Sequence, residues 1–275
     1  MKTIIAPTDF SEAAQSSVNY AAELSNLTKA RLVLLHAFHP PLVNTEVPVV
    51  IPSLDEIEKA SLDTLRKMEI SIREKFNNSF QVECVAKCGF AADEIEKFAD
   101  EKKADLIVVG MQGAGFLEEK LIGSVTTLLI SKSKCPVLTV APKVNFRNIK
   151  KIAFACDYKK IKDDKILEPL KNLTHLFKAH IYILNVLPSL TTIPGVDEAV
   201  AGVRLEHALK EINHSFCTIE NEDVVDGIND FVSKQNMDLV VMIPRKHSVL
   251  KNIFSEPNTK QMAFHTNIPL MTLHE

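Results

Sequence analysis

Asp105-Leu-Ile-Val-Val109 returns as Asp238-Leu-Val-Val-Met242, 133 residues further on, and Cys135-Pro-Val-Leu-Thr-Val140 returns as Ile268-Pro-Leu-Met-Thr-Leu273 at the same separation. Ile95 and Phe98 match Ile228 and Phe231 at 133 as well, whereas Ala6-Pro-Thr-Asp9-Phe10 matches Phe154-Ala-Cys-Asp157-Tyr158 at 148. Any single match could arise by chance. Several at one offset indicate duplication, and a duplicated chain is built as two like units rather than one. The length agrees, since 275 residues exceed the roughly 100 to 200 of one domain. We expect an N-terminal unit over residues 1–145 and a C-terminal unit over 146–275. The difference of 15 between the two offsets places a shortening in the middle of the second copy, in a proline-containing flap and the helix after it.

Within the first unit, Thr3 to Pro7 is a short β-rich run, and Ser11 to Leu27 carries apolar residues at helical spacing, with Ser11 as N-cap. Arg31 to Phe38 follows as a continuous apolar run, the form taken by strands buried on both faces of a parallel sheet. Residues 39–53 hold Pro40, Pro41, Pro48 and Pro52 and form the irregular flap. Then come a helix from Leu54 to Phe76, a strand around Phe80 to Ala86 and a helix from Ala91 to Lys102. A strand from Leu106 to Val109, a helix after Gly123 and a strand from Pro136 to Val140 complete the unit. This alternation predicts an α/β fold, a doubly wound parallel sheet of five strands, and the repeat predicts two such sheets in tandem.

Charge and composition argue against several classes of function. The formal net charge is −3, with 32 basic and 35 acidic residues spread along the chain, so no electrostatic footprint for nucleic acid is present. No run approaches the roughly 18 apolar residues of a membrane span, and Met1 to Asp9 lacks the apolar stretch of a secretory signal. Five cysteines form no even-numbered disulfide framework and fit a reducing cytoplasm.

Four of the eight glycines, Gly110, Gly113, Gly115 and Gly123, cluster at the exit of the Leu106 to Val109 strand. Glycine costs the most conformational entropy on folding, so such a cluster marks a sharp bend or a close approach to a ligand. The helix that starts after Gly123 presents free N–H groups and the positive end of its dipole, which favour an anion. No Gly-Lys-Ser/Thr closes the loop, so it is not a Walker A loop. It follows the fourth strand and has the wrong spacing for a dinucleotide fingerprint. What remains is Gly-x2-Gly-x9-Gly-Ser over Gly110 to Ser124.

At these residues the chain resembles the universal stress protein family, in which Gly-x2-Gly-x9-Gly-(Ser/Thr) marks members that bind ATP. Ala6-Pro-Thr-Asp9-Phe-Ser11 and Cys135-Pro-Val-Leu-Thr-Val140 are similar to that family's first and last strands. The resemblance covers residues 1–143 well and 149–275 more weakly, which is the pattern of a tandem member. It implies a Rossmann-like fold of the adenine nucleotide alpha hydrolase-like type, with the two units packed as a pseudo-dimer. It further implies that Pro7, Thr8 and Asp9 line the adenosine side, Asp9 near the ribose or a nucleotide-bound Mg ion. Ala37 would hold the adenine edge through its backbone, and Val109 and Gly110 would flank the nucleoside. Gly113, Gly123, Ser124 and Val125 would give N–H groups, and Ser124 its hydroxyl, to the phosphates of ATP, with ADP and AMP as alternative ligands. General physical reasoning converges on this place, because ligands of open α/β sheets lie beyond the strands' carboxyl ends where strand order reverses.

At the 133 offset, Gly110, Gly113, Gly123 and Ser124 become Ile243, Lys246, Glu256 and Pro257. Glu256 brings negative charge to the phosphate position and Pro257 lacks an N–H, so only Asp157 persists of the second site. We therefore expect one nucleotide per chain, with the C-terminal unit as a built-in dimerisation partner and a homodimer of whole chains left open. Arg245, Lys246, His247 and Lys251 form a basic cluster in the decayed loop, read as a solvated loop. His207, His214 and Cys217 have metal-ligating side chains, and their spacing would put the last two on one face if the helix there continued. Nothing near Cys84 or Cys88 suggests an activated thiolate. Three roles stay open at this level: a regulatory ATP-binding protein in a stress response, a slow ATPase or self-phosphorylating protein with Ser124 or Thr126 as acceptor, and a nucleotide-independent scaffold. Phosphoryl transfer needs charge neutralisation, and Lys120 is the one cation within the loop.

Overall fold

The computed structural model describes residues 1–40, 52–111, 122–142, 144–156, 163–189, 196–244 and 268–274. The first half runs β1 (Thr3–Pro7), α1 (Glu12–Thr28), β2 (Arg31–Phe38), α2 (Leu54–Lys75), β3 (Val82–Cys88), α3 (Ala91–Lys102), β4 (Leu106–Gly110), α4 (Ser124–Lys132) and β5 (Val137–Val140). The second runs β6 (Lys151–Ala155), α5 (Glu168–Phe177), β7 (His180–Leu187), α6 (Val196–Ala208), β8 (His214–Glu220), α7 (Val224–Gln235), β9 (Leu239–Met242) and β10 (Leu270–Thr272). The second copy's shortening is visible as α6, which has 13 residues where α2 has 22.

Local chemistry sets the helix starts. Ser11 accepts the Ala14 N–H to open α1, and Ser53 and Glu56 form a reciprocal capping box at α2. Asp223 takes the N–H groups of Val225 and Asp226 at α7. Lys29, Lys103, Lys178 and Asn236 end α1, α3, α5 and α7 in the left-handed region. β3 begins two residues later than its apolar pattern suggests. Asn77 and Asn78 turn in the left-handed region after α2, and Phe80 packs on Phe76 instead of joining the ladder.

The strands form one ten-stranded sheet, in the order β3-β2-β1-β4-β5-β10-β9-β6-β7-β8. The order 3-2-1-4-5 of the first half is mirrored by 10-9-6-7-8 in the second, so both halves are doubly wound. Every pairing is parallel except that of β5 with β10, where Leu270, Met271 and Thr272 oppose Thr139, Leu138 and Val137. The two five-stranded sheets expected from the repeat are thus joined edge to edge into one. Alternate strand residues feed two cores. Ile4, Leu32, Leu106, Phe154 and Ile181 face α1, α2, α5 and α6, while Ile5, Val33, Ile107, Ala153 and Val240 face α3, α4 and α7. Each core runs across both halves. Phe146, in the connection between the halves, packs its ring 5.0 Å from Tyr20 of α1 and 6.2 Å from Phe177 of α5.

Asp105 has a use that its position at a strand entrance does not announce. Its Oδ2 accepts the N–H groups of Lys2 and Thr3 at 2.6 and 2.8 Å, locking the start of β1 to that of β4. Asp238 does the same for Lys150 and Lys151 at 2.8 and 3.0 Å. These are the two aspartates that the 133-residue repeat superposes.

Candidate functional site

β1 and β4 are neighbours, pairing through Ile4 with Leu106 and Ile5 with Ile107. The strand order reverses between them, because β2 and β3 lie to one side and β5 to the other. Their carboxyl ends therefore open a crevice of the kind in which α/β sheets hold ligands. Pro7, Thr8, Val109 and Gly110 border it, all buried, with Ala37 half-buried at the end of β2.

Thr8 is fixed on three sides. Its N–H donates to the Leu35 carbonyl at 2.9 Å, its Oγ1 accepts the Phe10 N–H at 3.0 Å, and its carbonyl accepts from Nδ1 of His36 at 2.8 Å. The Phe10 ring lies 4.3 Å from that of His36. This clamp was not legible from spacing, since a histidine inside an apolar strand reads as core. Phe10 itself has φ 65°, a left-handed conformation that Asp9 helps to hold. Asp9 also takes part in the helix cap. Its Oδ1 accepts the Ser11 N–H at 3.0 Å and the Ser11 hydroxyl at 2.6 Å, so Asp9 orients the residue that caps α1. The carboxylate is exposed at the mouth of the crevice.

Ala37 is placed by the pleat. The Leu35 carbonyl points to β1, where it meets Thr8, and backbone groups two residues apart in a strand point the same way. Ala37 thus presents its N–H and C=O toward the crevice, beyond the last residue of β1 paired to β2.

On the β4 side, Met111 N–H donates to the Val140 carbonyl at 2.9 Å, and Gly123 N–H donates to the Met111 carbonyl at 2.7 Å. The chain therefore leaves β4 and returns to α4 at almost the same point. Gly113 and Gly115 lie outside the described residues, as do Lys246, Glu256, Pro257, Asp157 and the basic residues Arg245, His247 and Lys251 of the second half. Gly123 is the N-cap of α4 and brings no side chain to the first turn. Ser124 is exposed there and Val125 half-buried. Thr126 is 3% exposed, and its hydroxyl donates to the Gly110 carbonyl at 2.7 Å. That bond ties the helix to the end of β4, and it removes Thr126 as a phosphoryl acceptor. In the second half Ile243, at the position of Gly110, is a buried apolar residue.

The other candidate groups are not brought together. α6 ends at Ala208, and His214 and Cys217 lie three apart on strand β8, which turns them to opposite faces of the sheet. The helical reading of this stretch fails because residues His214 to Glu220 pair with β7, from Ile181 to Leu187. Among the described residues no group of three or more metal-ligating side chains is found. Cys135, pushed up to about 12 by burial and the nearby Asp105 charge, and Cys84, pushed up to about 12 by burial and Glu69, are inert thiols. Among the described residues no helix is long and apolar enough to cross a membrane.

Comparison with known proteins identifies the family and the fold. The model of the universal stress protein family matches residues 1–141. A universal stress protein of Methanocaldococcus jannaschii is 31% identical over 155 residues, covering 52% of this chain and 96% of the relative. The universal stress protein YxiE of Bacillus subtilis is 31% identical over 138 residues, covering 48% and 93%. The crystal structure of a universal stress protein from Archaeoglobus fulgidus shares the fold over 99% of this chain and 96% of its own, with a TM-score of 0.72 at 16% identity. The family model spans more than half of the chain and the relatives match over nearly their whole length, so this chain belongs to the universal stress protein family.

Proposed function

We propose that this chain binds an adenine nucleotide, ATP foremost and ADP or AMP by the same contacts, at one site in its first half, and acts as a regulatory protein of the stress response. The observation that carries the reading is the Gly-x2-Gly-x9-Gly-Ser spacing set on the connection from β4 to α4, at the switch point of the sheet. The first-turn amides of α4 start from a glycine, so no capping side chain from that residue competes with a phosphate for them. Pro7, Thr8, Asp9, Ala37, Val109 and Gly110 would surround the nucleoside, and Gly113, Gly123, Ser124 and Val125 the phosphates. The exposed Asp9 carboxylate suits a Mg ion carried in on the phosphates, which binds through one or two carboxylates and otherwise keeps water.

The two halves are proposed as domains 1–145 and 146–275, packed as a pseudo-dimer through β5 and β10, with the second lacking a nucleotide site. The five free thiols suit the cytoplasm. Mass spectrometry of the purified protein under native conditions, followed by ATP titration, tests the reading. One adenine nucleotide per chain is expected, and its loss in a Gly113→Ala, Gly123→Ala variant. Two nucleotides per chain, or binding that survives the double change, would overturn it. Phosphate release measured on the same pair separates binding from turnover, and Ser124 is the exposed hydroxyl at the first residue of α4 to examine for phosphorylation.

A further inference from the structure

We propose that His274, in the second half of the chain, is a positioning residue for the nucleotide site of the first half, acting through α4; this rests on the nucleotide reading above. α4 has nine residues, Ser124 to Lys132. A helix that short does not hold itself in water, so its placement comes from what it touches. Its own Thr126, Leu129 and Ile130 are buried, and each end has a polar tether. At the phosphate-facing end the tether is Thr126 to the Gly110 carbonyl. At the other end, Ile130 carries one of the last four carbonyls, which have no partner inside the helix, and Nε2 of His274 meets that oxygen. A carbonyl only accepts, so Nε2 carries the proton and donates it. Nδ1 is buried with no partner among the described residues. A donor at this point also complements the negative end of the helix dipole.

The tether is one-sided, although the seam around it is two-fold symmetric. Thr139 donates its hydroxyl to the Leu270 carbonyl at 3.1 Å and Thr272 donates to the Val137 carbonyl at 3.4 Å, two bonds that exchange under the 133-residue repeat. The same repeat carries His274 onto Ala141 and Ile130 onto Ala263. Alanine has no side-chain donor, so the first half cannot return the contact. The half whose glycine spacing has decayed thus supports the anion-facing helix of the half whose spacing is intact, and Ala141 supplies no donor to return that contact.

The test uses the full chain in three forms: wild type, His274→Leu, which keeps apolar bulk without a donor, and His274→Gln, which keeps an N–H donor. ATP affinity is measured by calorimetry, and amide exchange across residues 124–132 is followed in the nucleotide-free protein. The Leu variant is expected to bind ATP about fivefold more weakly, the lower end of usual coupling between sites, with faster exchange confined to α4. The Gln variant is expected to stay within about twofold of wild type, since it restores one hydrogen bond. Wild-type affinity in the Leu variant, or equal weakening in both variants, would overturn the proposal, the second because bulk and not the proton would then matter. Unchanged exchange in α4 removes the tether even if ATP binds. If wild type binds no ATP, the nucleotide reading falls and takes the coupling with it, while the exchange data still judge the tether.

Discussion

Gly123 sits at φ −62° and ψ 151°, angles that alanine adopts without strain. Its replacement therefore separates ligand contact from folding. Gly123→Ala should change the unfolding free energy by less than about 1 kcal/mol, the usual range for an N-cap exchange, while weakening ATP binding by crowding the first-turn amides. Parallel denaturation and calorimetry check this, and a large loss of stability with unchanged affinity would contradict it. His214 offers a second test at this scale. Its Nδ1 faces the Ile212 carbonyl at 2.8 Å and its Nε2 faces the Glu206 carboxylate at 2.9 Å. Both partners only accept, so the ring satisfies both only as the imidazolium. Burial pulls its pKa down, but Glu206 and the carbonyls of Ile212 and Leu209 outweigh that and hold it above the ordinary value of 6.5, while burial and the His214 charge hold the neighbouring His180 of β7 below its own. A raised folded value means stabilisation that is full below the ordinary value and lost as pH rises through the folded one. His214→Gln should therefore cost more stability at about pH 5.5 than at about pH 8.5. A cost independent of pH would show that folding leaves the ring's pKa unshifted, and a smaller cost at the lower pH that the folded ring is held neutral.

Asp105 and Asp238 act on whole elements, because each takes two backbone N–H groups from a strand that is distant in sequence. Asp105→Ala should cost about 2 to 3 kcal/mol, as two charge-assisted bonds are lost together, and Asp238→Ala about the same. Urea unfolding of both variants checks the equivalence that the repeat implies. The pair also marks where the sequence stops being readable. Ser11 and Ser53 announce α1 and α2 because a cap bonds three residues along. The glycine spacing announces the β4 to α4 connection because a bend between a strand and the helix after it is local. Asp105, His36, Thr126 and His274 reach partners 103, 28, 16 and 144 positions away, and no spacing rule carries such a contact. The same limit explains β8. A run containing His214 and Cys217 is compatible with either period, and pairing with β7 decided it.

At the scale of the molecule, the seam between the halves is short, three residue pairs of β5 and β10 with two threonine bonds. Yet both hydrophobic cores continue across it, and Phe146 bridges α1 and α5. Tandem matching predicts two units, and only the antiparallel pairing of the last strand of each reveals that they share one sheet. Two outcomes follow from this architecture and can be told apart with the ligand. At about a hundred times its dissociation constant, ATP adds about 2.7 kcal/mol to whichever unit unfolds together with its site. If the continuous cores make the halves cooperative, scanning calorimetry shows one transition that shifts upward as a whole, and amide exchange slows in β6, β7 and β9 as well as in β1 and β4. If the seam is too short to transmit unfolding, two transitions appear and only one moves. We expect the single transition, because residues such as Leu138, Met271 and Leu239 are buried in one core shared by both halves and cannot be exposed from one half alone. Phe146→Ala should then lower that one transition rather than split it, as the core remains continuous beneath the lost ring contacts.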